Sequence, residues 1–271
     1  MTNYLRALSF LTIIPLPFVT FGPDSRELSD SAVCFPLAGA TIGVFMAAAA
    51  WALLHIFPPG PAAVAALVLS FYLTRGLHFD GLADTADGLI GTTGRDKAFK
   101  AMDDSAVGVM GAASLFFVYL LKYALLVEFS HAVLPFALLF MPLAGRWAIV
   151  YAGAWFAPAR DRGLGDLFLR GLRWPVLLKA SLSTALLLFV FAWWYAPLVI
   201  PVFIGCFMAL AAAHLLSFYA SRRLGGITGD ILGASSELGE VFFLFGFYMA
   251  LQYNSSAILQ AKVVTCYVQG F

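Results

Sequence analysis

Long, almost uninterrupted apolar runs constrain the fold of this chain more than any other feature of its sequence. Seven runs, bounded by charges or by Pro and Gly clusters, are candidates for crossing a bilayer: 33–57, 61–75, 109–127, 132–157, 175–196, 199–219 and 240–259. A helix needs about 20 predominantly apolar residues to cross a hydrocarbon core about 30 Å thick. Segment 61–75 is short for this, so it needs part of the following segment, or local thinning of the bilayer. The pattern predicts an all-α, polytopic integral membrane bundle of about seven transmembrane helices.

The composition of the chain and the order of residues within the apolar runs exclude other classes of protein. Hydrophobic residues make up 62% of the 271 residues and charged residues 11%, whereas a soluble domain is about 45 to 50% apolar and about 25% charged. Transmembrane β-strands alternate apolar and polar residues over about 10 residues, but 185–194 reads ALLLFVFAWW without alternation. The net charge of +1 gives no basic field that would favour nucleic acid as a partner. We therefore predict a single integral membrane domain over residues 1–271.

Charged residues are concentrated on one side of the predicted membrane. Thirteen of the sixteen Lys and Arg residues lie in the N-terminal segment, or in or beside the long connections 76–108, 158–174 and 220–239. The positive-inside rule therefore predicts a cytoplasmic N-terminus and three cytoplasmic loops. Fourteen of the fifteen acidic residues fall on the same side, and only Glu128 lies opposite. We expect the chemistry of this protein to face the cytoplasm.

The segment HFDGLADTADGL, residues 78–89, carries the most informative polar pattern. Asp80, Asp84 and Asp87 are spaced i, i+4 and i+7, which places three carboxylates on one face of a helix. Such neighbours repel one another and raise one another's pKa values, and a divalent cation would remove that repulsion. Mg²⁺ typically takes one or two carboxylates together with water and phosphate oxygens. The spacing predicts a Mg²⁺ site on these aspartates and a phosphate substrate, although a solvated interfacial loop would show the same residues.

The residues around this cluster extend the prediction. Gly88, Gly91 and Gly94 are followed by three cations that would hold phosphate, namely Arg95, Lys97 and Lys100. Asp104 would add a ligand or accept a proton, or it would cap the following helix. His78 would act as a general base, as a metal ligand or as a hydrogen-bonded side chain at the membrane interface.

A second polar island, SRRLGGITGDILGASSELGE at 221–240, repeats the combination of cations, flexible backbone and acids. We interpret four of its residues as a substrate-binding set that faces the first cluster: Arg222, Arg223, Asp230 and Glu237. The alternative is that the arginines anchor the sixth span and the glutamate caps the seventh.

Two further arginines are candidates for binding phosphate. Arg146 lies within the fourth predicted span, where a charge is costly and functional by default. It would pair with an acid, bind an anionic substrate or satisfy carbonyls in the bundle. Arg160 belongs to a basic, glycine-containing loop that would cover a phosphate site or bind the head groups of membrane lipids.

Three segments taken in order resemble the cobalamin synthase family, the adenosylcobinamide-GDP ribazoletransferases: HFDGLADTADGL, AMDDSAVGVMG and LGGITGDILGASSE. The resemblance extends over most of the chain and includes ALSFLTIIPLP and CFPLAGATIG near the N-terminus. Ile14 departs from the family pattern, which often has a basic residue there. The resemblance implies a multi-pass enzyme of the bacterial inner membrane and leaves a homo-oligomer possible.

The same resemblance implies a reaction. The enzyme would join α-ribazole, or its 5′-phosphate, to adenosylcobinamide-GDP, release GMP, and form adenosylcobalamin or its 5′-phosphate. Mg²⁺ bound by the three aspartates would bridge the diphosphate. Arg95, Arg222 and Arg223 would stabilise the phosphoryl oxygens.

Two other classes of protein remain open from the residues. A CDP-alcohol phosphotransferase also uses membrane-helix aspartates and a divalent metal, but its signature has an Ala-Arg pair soon after the first Asp-Gly. Here no arginine follows Asp80 and Gly81 before Arg95. A cation transporter would need carboxylates near the middle of the membrane, whereas the predicted spans carry none there.

Overall fold

The computed structural model describes residues 2–16, 19, 26–160 and 164–268, and the backbone of these residues is predominantly helical. Twelve α-helices follow one another along the described chain: α1 (Thr2–Leu11), α2 (Arg26–Ser31), α3 (Phe35–Leu53), α4 (Pro59–Thr74), α5 (Leu77–Leu89), α6 (Arg95–Met102), α7 (Val109–Val127), α8 (Leu134–Trp155), α9 (Leu164–Gly171), α10 (Trp174–Trp194), α11 (Val199–Leu224) and α12 (Gly229–Val268). The described residues contain one isolated β-bridge, between Pro158 and Ile227. The predicted all-α fold is confirmed.

Several of these helices are long and apolar enough to cross a membrane. Six segments of the described chain meet this requirement: Glu27–Leu53, Val109–Val127, Leu134–Trp155, Trp174–Trp194, Ala196–Leu224 and Gly229–Tyr253. Helices α4 and α5 meet it only as a pair, and the pair is bent by 90° at its break. The chain therefore has six candidate spans, or seven if the bent pair counts as one, which confirms a multi-pass membrane protein.

Two consecutive residues in the left-handed backbone region produce the bend between α4 and α5. Arg75 has a φ of 54° and Gly76 a φ of 63°. Their amides donate to the carbonyl oxygens of Tyr72, at 3.2 Å, and Phe71, at 3.0 Å, which closes the end of α4. Helix α4 has 16 residues and is about 24 Å long at 1.5 Å per residue. The next helix turns away from this short span instead of extending it.

Helix α12 lies at the centre of the bundle and packs against α5, α8 and α11. Glycines permit the closest contacts. A β-carbon on Gly205 of α11 would lie 2.8 Å from the carbonyl oxygen of Phe243, and one on Gly81 of α5 would lie 2.8 Å from that of Asp230. Small residues at such crossings are typical of membrane bundles, since they let two backbones approach. The first turns of α12 are thereby held directly against α5.

Two of the predicted loops are largely helical. The predicted loop 76–108 contains α5 and α6, and the predicted loop 220–239 contains the end of α11 and the first turns of α12. The last span accordingly begins at Gly229 and not at residue 240. The sequence prediction placed this boundary too late because charged residues end an apolar run. In the folded bundle, Glu237 and Glu240 are buried, so their charges do not end the span.

Candidate functional site

The close packing of α5 on α12 brings the two polar islands of the sequence together. A β-carbon on Gly233 of α12 would lie 3.3 Å from the backbone of His78 in α5. With this approach, Asp80 of α5 and Asp230 of α12 line the same cavity. The two islands therefore face one another across a space that a ligand can enter.

The cavity has a volume of about 290 Å³ and is lined by residues of α1, α2, α3, α5, α8, α9 and α12 and by the segments that precede α9 and α12. Its lining combines glycine and apolar side chains with a few polar ones. The polar lining residues in the described chain are His78, Asp80, Arg160, Thr228 and Asp230. A mostly apolar cleft with a few convergent polar groups is the usual form of a small-molecule site.

Carboxylates accumulate beside this cavity on α5, which bends away from α4. Burial and then the negative charges of Asp80, Asp230, Asp87 and Asp103 raise the pKa of the Asp84 carboxyl to about 6. A cation bound here would reduce the repulsion and favour the ionised form. Asp80 and Asp84 fit the donor set of a Mg²⁺ ion that takes one or two carboxylates and completes its shell with water and phosphate oxygens.

Asp87 has a different role in this structure. Its two carboxylate oxygens accept the backbone N–H groups of Gly108, at 2.7 Å, and Gly111, at 2.9 Å. These amides belong to the first turn of α7, so Asp87 satisfies orphan donors at a helix N-terminus and complements the helix dipole. In the described part of the chain, no group of three or more His, Cys, Asp or Glu side chains is arranged to hold a metal ion. The structure thus does not assemble the predicted set of three aspartates, and the Mg²⁺ site stays a prediction.

Among the described residues, Arg160 is the arginine that lines the cavity. It donates to Asp103 at 2.5 Å, and its guanidinium carbon lies 4.2 Å from the centre of the Phe99 ring. Two other nitrogens of the same guanidinium group, Nε and Nη2, are buried without a hydrogen-bond partner among the described residues. An anionic group in the cavity would satisfy them, because a guanidinium group presents its donors in a rigid fork that matches phosphate oxygens.

The remaining predicted phosphate-binding cations lie outside the cavity lining. Arg223 donates to the carbonyl oxygens of Leu89, at 3.1 Å, and Thr92, at 3.0 Å, and thereby caps the end of α5. Arg95 donates to the carbonyl oxygen of Ala159 at 3.0 Å. Three of the others are exposed at the surface, Lys97, Lys100 and Arg222, and Arg146 is buried in the bundle. Arg223 and Arg95 therefore hold the backbone around the site, and neither guanidinium group lines the cavity.

The two predicted acid–base residues are placed very differently. His78 lines the cavity, is buried, and has an Nδ1 atom that finds no hydrogen-bond partner in the described part of the chain. Burial and the positive charges of Arg146 and Lys122 hold the pKa of His78 well below its usual value, so the imidazole is neutral and has an acceptor nitrogen. Asp104 instead accepts the amide of Ala106 at 3.0 Å in an exposed turn, and it does not line the cavity.

A buried ionic network lies deeper in the bundle. Lys122 of α7 donates to Glu237 at 2.5 Å and to Glu240 at 2.6 Å, and Arg146 of α8 pairs with Glu240. All four side chains are buried. Arg146 pairs with Glu240 and Glu237 pairs with Lys122, so the alternative in which Arg146 pairs with an acid is the one that the structure contains, and neither residue lines the cavity. The expectation that the predicted spans carry no carboxylates is wrong, because Glu237 and Glu240 lie within the last span.

The sequence interpretation did not single out Lys122 as a partner in this network. The available signal was the one that singled out Arg146, a basic residue inside an apolar run. Its partners were hidden because the last span was expected to begin after Glu237. The charges of the network balance, because it contains two cations and two carboxylates. The cavity differs in having an excess of acidic residues around it.

The fold and the cavity define a class: a multi-pass helical membrane protein with an acidic, arginine-containing site built where α5 meets the start of α12. A sequence model of the family described as Cobalamin-5-phosphate synthase matches residues 3–248. The chain belongs to this family, and the resemblance noted in its motifs is confirmed.

Curated relatives are similar in sequence to this chain over most of the length of both proteins. The adenosylcobinamide-GDP ribazoletransferase of Chlorobaculum parvum is 38% identical and covers 90% of this chain and 94% of its own length. The proteins of the same name from Desulfitobacterium hafniense and Roseiflexus sp. are 37% and 39% identical, cover 90% and 88% of this chain, and are matched over 96% and 86% of their own lengths. No solved structure matches the chain.

Proposed function

We propose that this protein joins α-ribazole, or α-ribazole 5′-phosphate, to adenosylcobinamide-GDP and releases GMP, forming adenosylcobalamin or its 5′-phosphate. One observation carries the proposal. Two sequence-distant islands converge on a single cavity, where Asp80 and Asp230 face Arg160, in a chain whose relatives are named for this reaction. Acids that attract a divalent cation and an arginine with unsatisfied donors are the elements that a diphosphate substrate requires.

Different residues of the chain would have different roles in this reaction. Asp80 and Asp84 would hold Mg²⁺, which would supply positive charge to the diphosphate and its GMP leaving group. Arg160 would bind phosphoryl oxygens through the nitrogens that lack a partner. His78, with an Nδ1 that has no partner among the described residues, would accept a hydrogen bond from the attacking ribose hydroxyl and orient it.

We further propose that the protein resides in the bacterial inner membrane with the cavity toward the cytoplasm. The support is the positive-inside rule, since thirteen of sixteen basic residues fall on the side of the N-terminus and the long connections. Both polar islands belong to those connections, so water-soluble nucleosides and nucleotides would reach the site from the cytoplasm. Lipid head groups would contact the basic segment around Arg160.

GMP release by the purified protein tests the proposed function. We expect release from adenosylcobinamide-GDP only when α-ribazole or its 5′-phosphate and Mg²⁺ are both present, with a corrinoid product that contains the added nucleoside. Asp96 is an exposed aspartate on α6 outside the cavity lining, so Asp96→Asn is the matched control for loss of one negative charge and should retain activity. Absence of product with both substrates and Mg²⁺ would refute the proposal.

A further inference from the structure

One side of α6 holds the segment that carries Arg160. Arg95, Phe99 and Asp103 follow one another at intervals of four residues, so they lie on the same side of the helix and its last turn. Arg95 donates to the carbonyl oxygen of Ala159 at 3.0 Å. The ring of Phe99 faces the guanidinium group of Arg160, whose central carbon is 4.2 Å from the ring centre, and Asp103 accepts from Nη1 of the same group at 2.5 Å. Three different contacts therefore hold two consecutive residues.

Helix α6 is in turn fixed to α5, the helix that carries the acidic residues. Its residues Ala98 and Met102 are buried, and α6 packs against α5. A β-carbon on Gly88 of α5 would lie 2.5 Å from the Cγ atom of Met102, so the lack of a side chain there permits the contact. Since Asp80 and Asp84 belong to α5, α6 connects the position of the arginine to the position of the two aspartates.

An aromatic ring holds an arginine in a way that a polar partner cannot. The face of the ring attracts the guanidinium group through its quadrupole, and this contact uses none of the N–H donors. Nε and Nη2 of Arg160 are accordingly buried without a hydrogen-bond partner among the described residues, although Phe99 holds one side of the group. A carboxylate in place of the ring would occupy these donors. The ring therefore fixes the arginine and leaves its donors available to an anion.

We propose that Phe99 is a positioning residue, which holds the guanidinium group of Arg160 at the cavity so that Nε and Nη2 receive the diphosphate of adenosylcobinamide-GDP. The inference rests on the proposed function. Phe99 is half-buried outside the cavity lining, so it acts through Arg160 and does not touch the substrate. Without the ring, the arginine would keep its charge and its contact with Asp103 but would sample more orientations. Substrate binding would then cost the entropy of ordering it.

The proposal predicts a selective kinetic defect. Phe99→Leu removes the ring and keeps an apolar side chain. We expect the KM for adenosylcobinamide-GDP to rise roughly three- to tenfold, as loss of a cation–π contact implies, while kcat and the KM for unphosphorylated α-ribazole stay close to those of the parent. A merely structural role would instead lower kcat or raise both KM values together.

Two further variants isolate the contribution of the aromatic face. Phe99→Tyr keeps this face and should therefore keep the KM values of the parent. Phe218→Leu is the matched control, because the centre of the Phe218 ring lies 5.1 Å from the guanidinium carbon of Arg222, and both residues are exposed outside the cavity lining. This control removes the same kind of contact from an arginine elsewhere and should change neither KM.

Calorimetric binding of GDP in the presence of Mg²⁺ keeps this inference separate from the proposed function. Phe99→Leu should weaken GDP binding roughly three- to tenfold, whether or not the protein catalyses transfer. Absence of GMP release from the parent would refute the transferase, and the calorimetry would then decide the role of Phe99 alone. Unchanged GDP binding and KM in Phe99→Leu, undetectable GDP binding in the parent, or an equal rise in both KM values would each overturn the inference. An equal defect in Phe99→Tyr or in Phe218→Leu would overturn it as well.

Discussion

The cavity and the buried ionic network use the same kinds of charged residue to opposite effect. In the network, Lys122 and Arg146 face Glu237 and Glu240, so two positive charges balance two negative ones away from solvent. At the cavity, acids outnumber bases, the pKa of Asp84 is raised to about 6, and guanidinium nitrogens lack partners. The comparison teaches that charge balanced within the protein stabilises the bundle, whereas charge left unbalanced marks the place for a ligand.

Breaking the network should give the largest loss of stability. Glu240→Gln leaves Arg146 buried without its counter-charge and removes one partner of Lys122. Breaking one side of a buried pair costs about 3 to 5 kcal/mol. We expect a loss of this size in the free energy of unfolding measured in mixed micelles. Glu128→Gln makes the same change at an exposed position and should be neutral. Equal stability of the Glu240 variant and the parent would show that the network does not support the bundle.

At the cavity, the same kind of neutralisation should affect activity and spare the fold. Asp80→Asn and Asp84→Asn each remove negative charge from the proposed metal site, and we expect the rate of GMP release to fall by about 100-fold or more. Thermal unfolding should stay close to that of the parent. Asp96→Asn is the control on α6. Full activity in both cavity variants would exclude the proposed site.

Metal binding should depend on pH in a specific direction. A carboxyl with a pKa of about 6 is mostly ionised at pH 7 and mostly protonated at pH 5, and Mg²⁺ binds the ionised form. We therefore expect Mg²⁺ affinity to fall by roughly tenfold between pH 7 and pH 5, as measured by calorimetry without substrates. In Asp84→Asn this pH dependence should be much reduced. Constant affinity in the parent would mean that Asp84 is not a ligand.

The smallest expected effect concerns Asp87, which holds the first turn of α7. Asp87→Asn removes the charge at the helix N-terminus and one of the two acceptors, so we expect a loss of about 1 kcal/mol in unfolding free energy. Asp30→Asn, at an exposed position of α2, provides the control. An unaffected unfolding free energy together with lost Mg²⁺ binding would show that Asp87 belongs to the metal site and not to the helix cap.

Much of the fold follows from the sequence because hydrocarbon imposes a length on every helix that crosses it. The six spans of the structure correspond to predicted apolar runs, although the last begins about eleven residues earlier, at Gly229. That boundary was not predictable from hydropathy, since Glu237 and Glu240 break the apolar pattern and become acceptable only through partners on α7 and α8. Partner choice between distant helices is a tertiary property that no local run of residues encodes.

The candidate site was partly predictable for a similar reason. Helical spacing is local, so the placement of Asp80 and Asp84 on α5 could be anticipated. The commitment of Asp87 to α7 and of Arg223 to the end of α5 could not, because each depends on where another helix begins or ends.

The left-handed pair Arg75 and Gly76 determines where the acidic residues of α5 lie relative to the bundle. Had α4 continued straight, the 13 residues of α5 would have reached about 20 Å beyond it, and their acids would stand in bulk water as a free stalk. The 90° bend instead brings α5 into contact with α12 and α7. The corner therefore keeps Asp80 in the wall of the cavity that the first turn of α12 completes with Asp230.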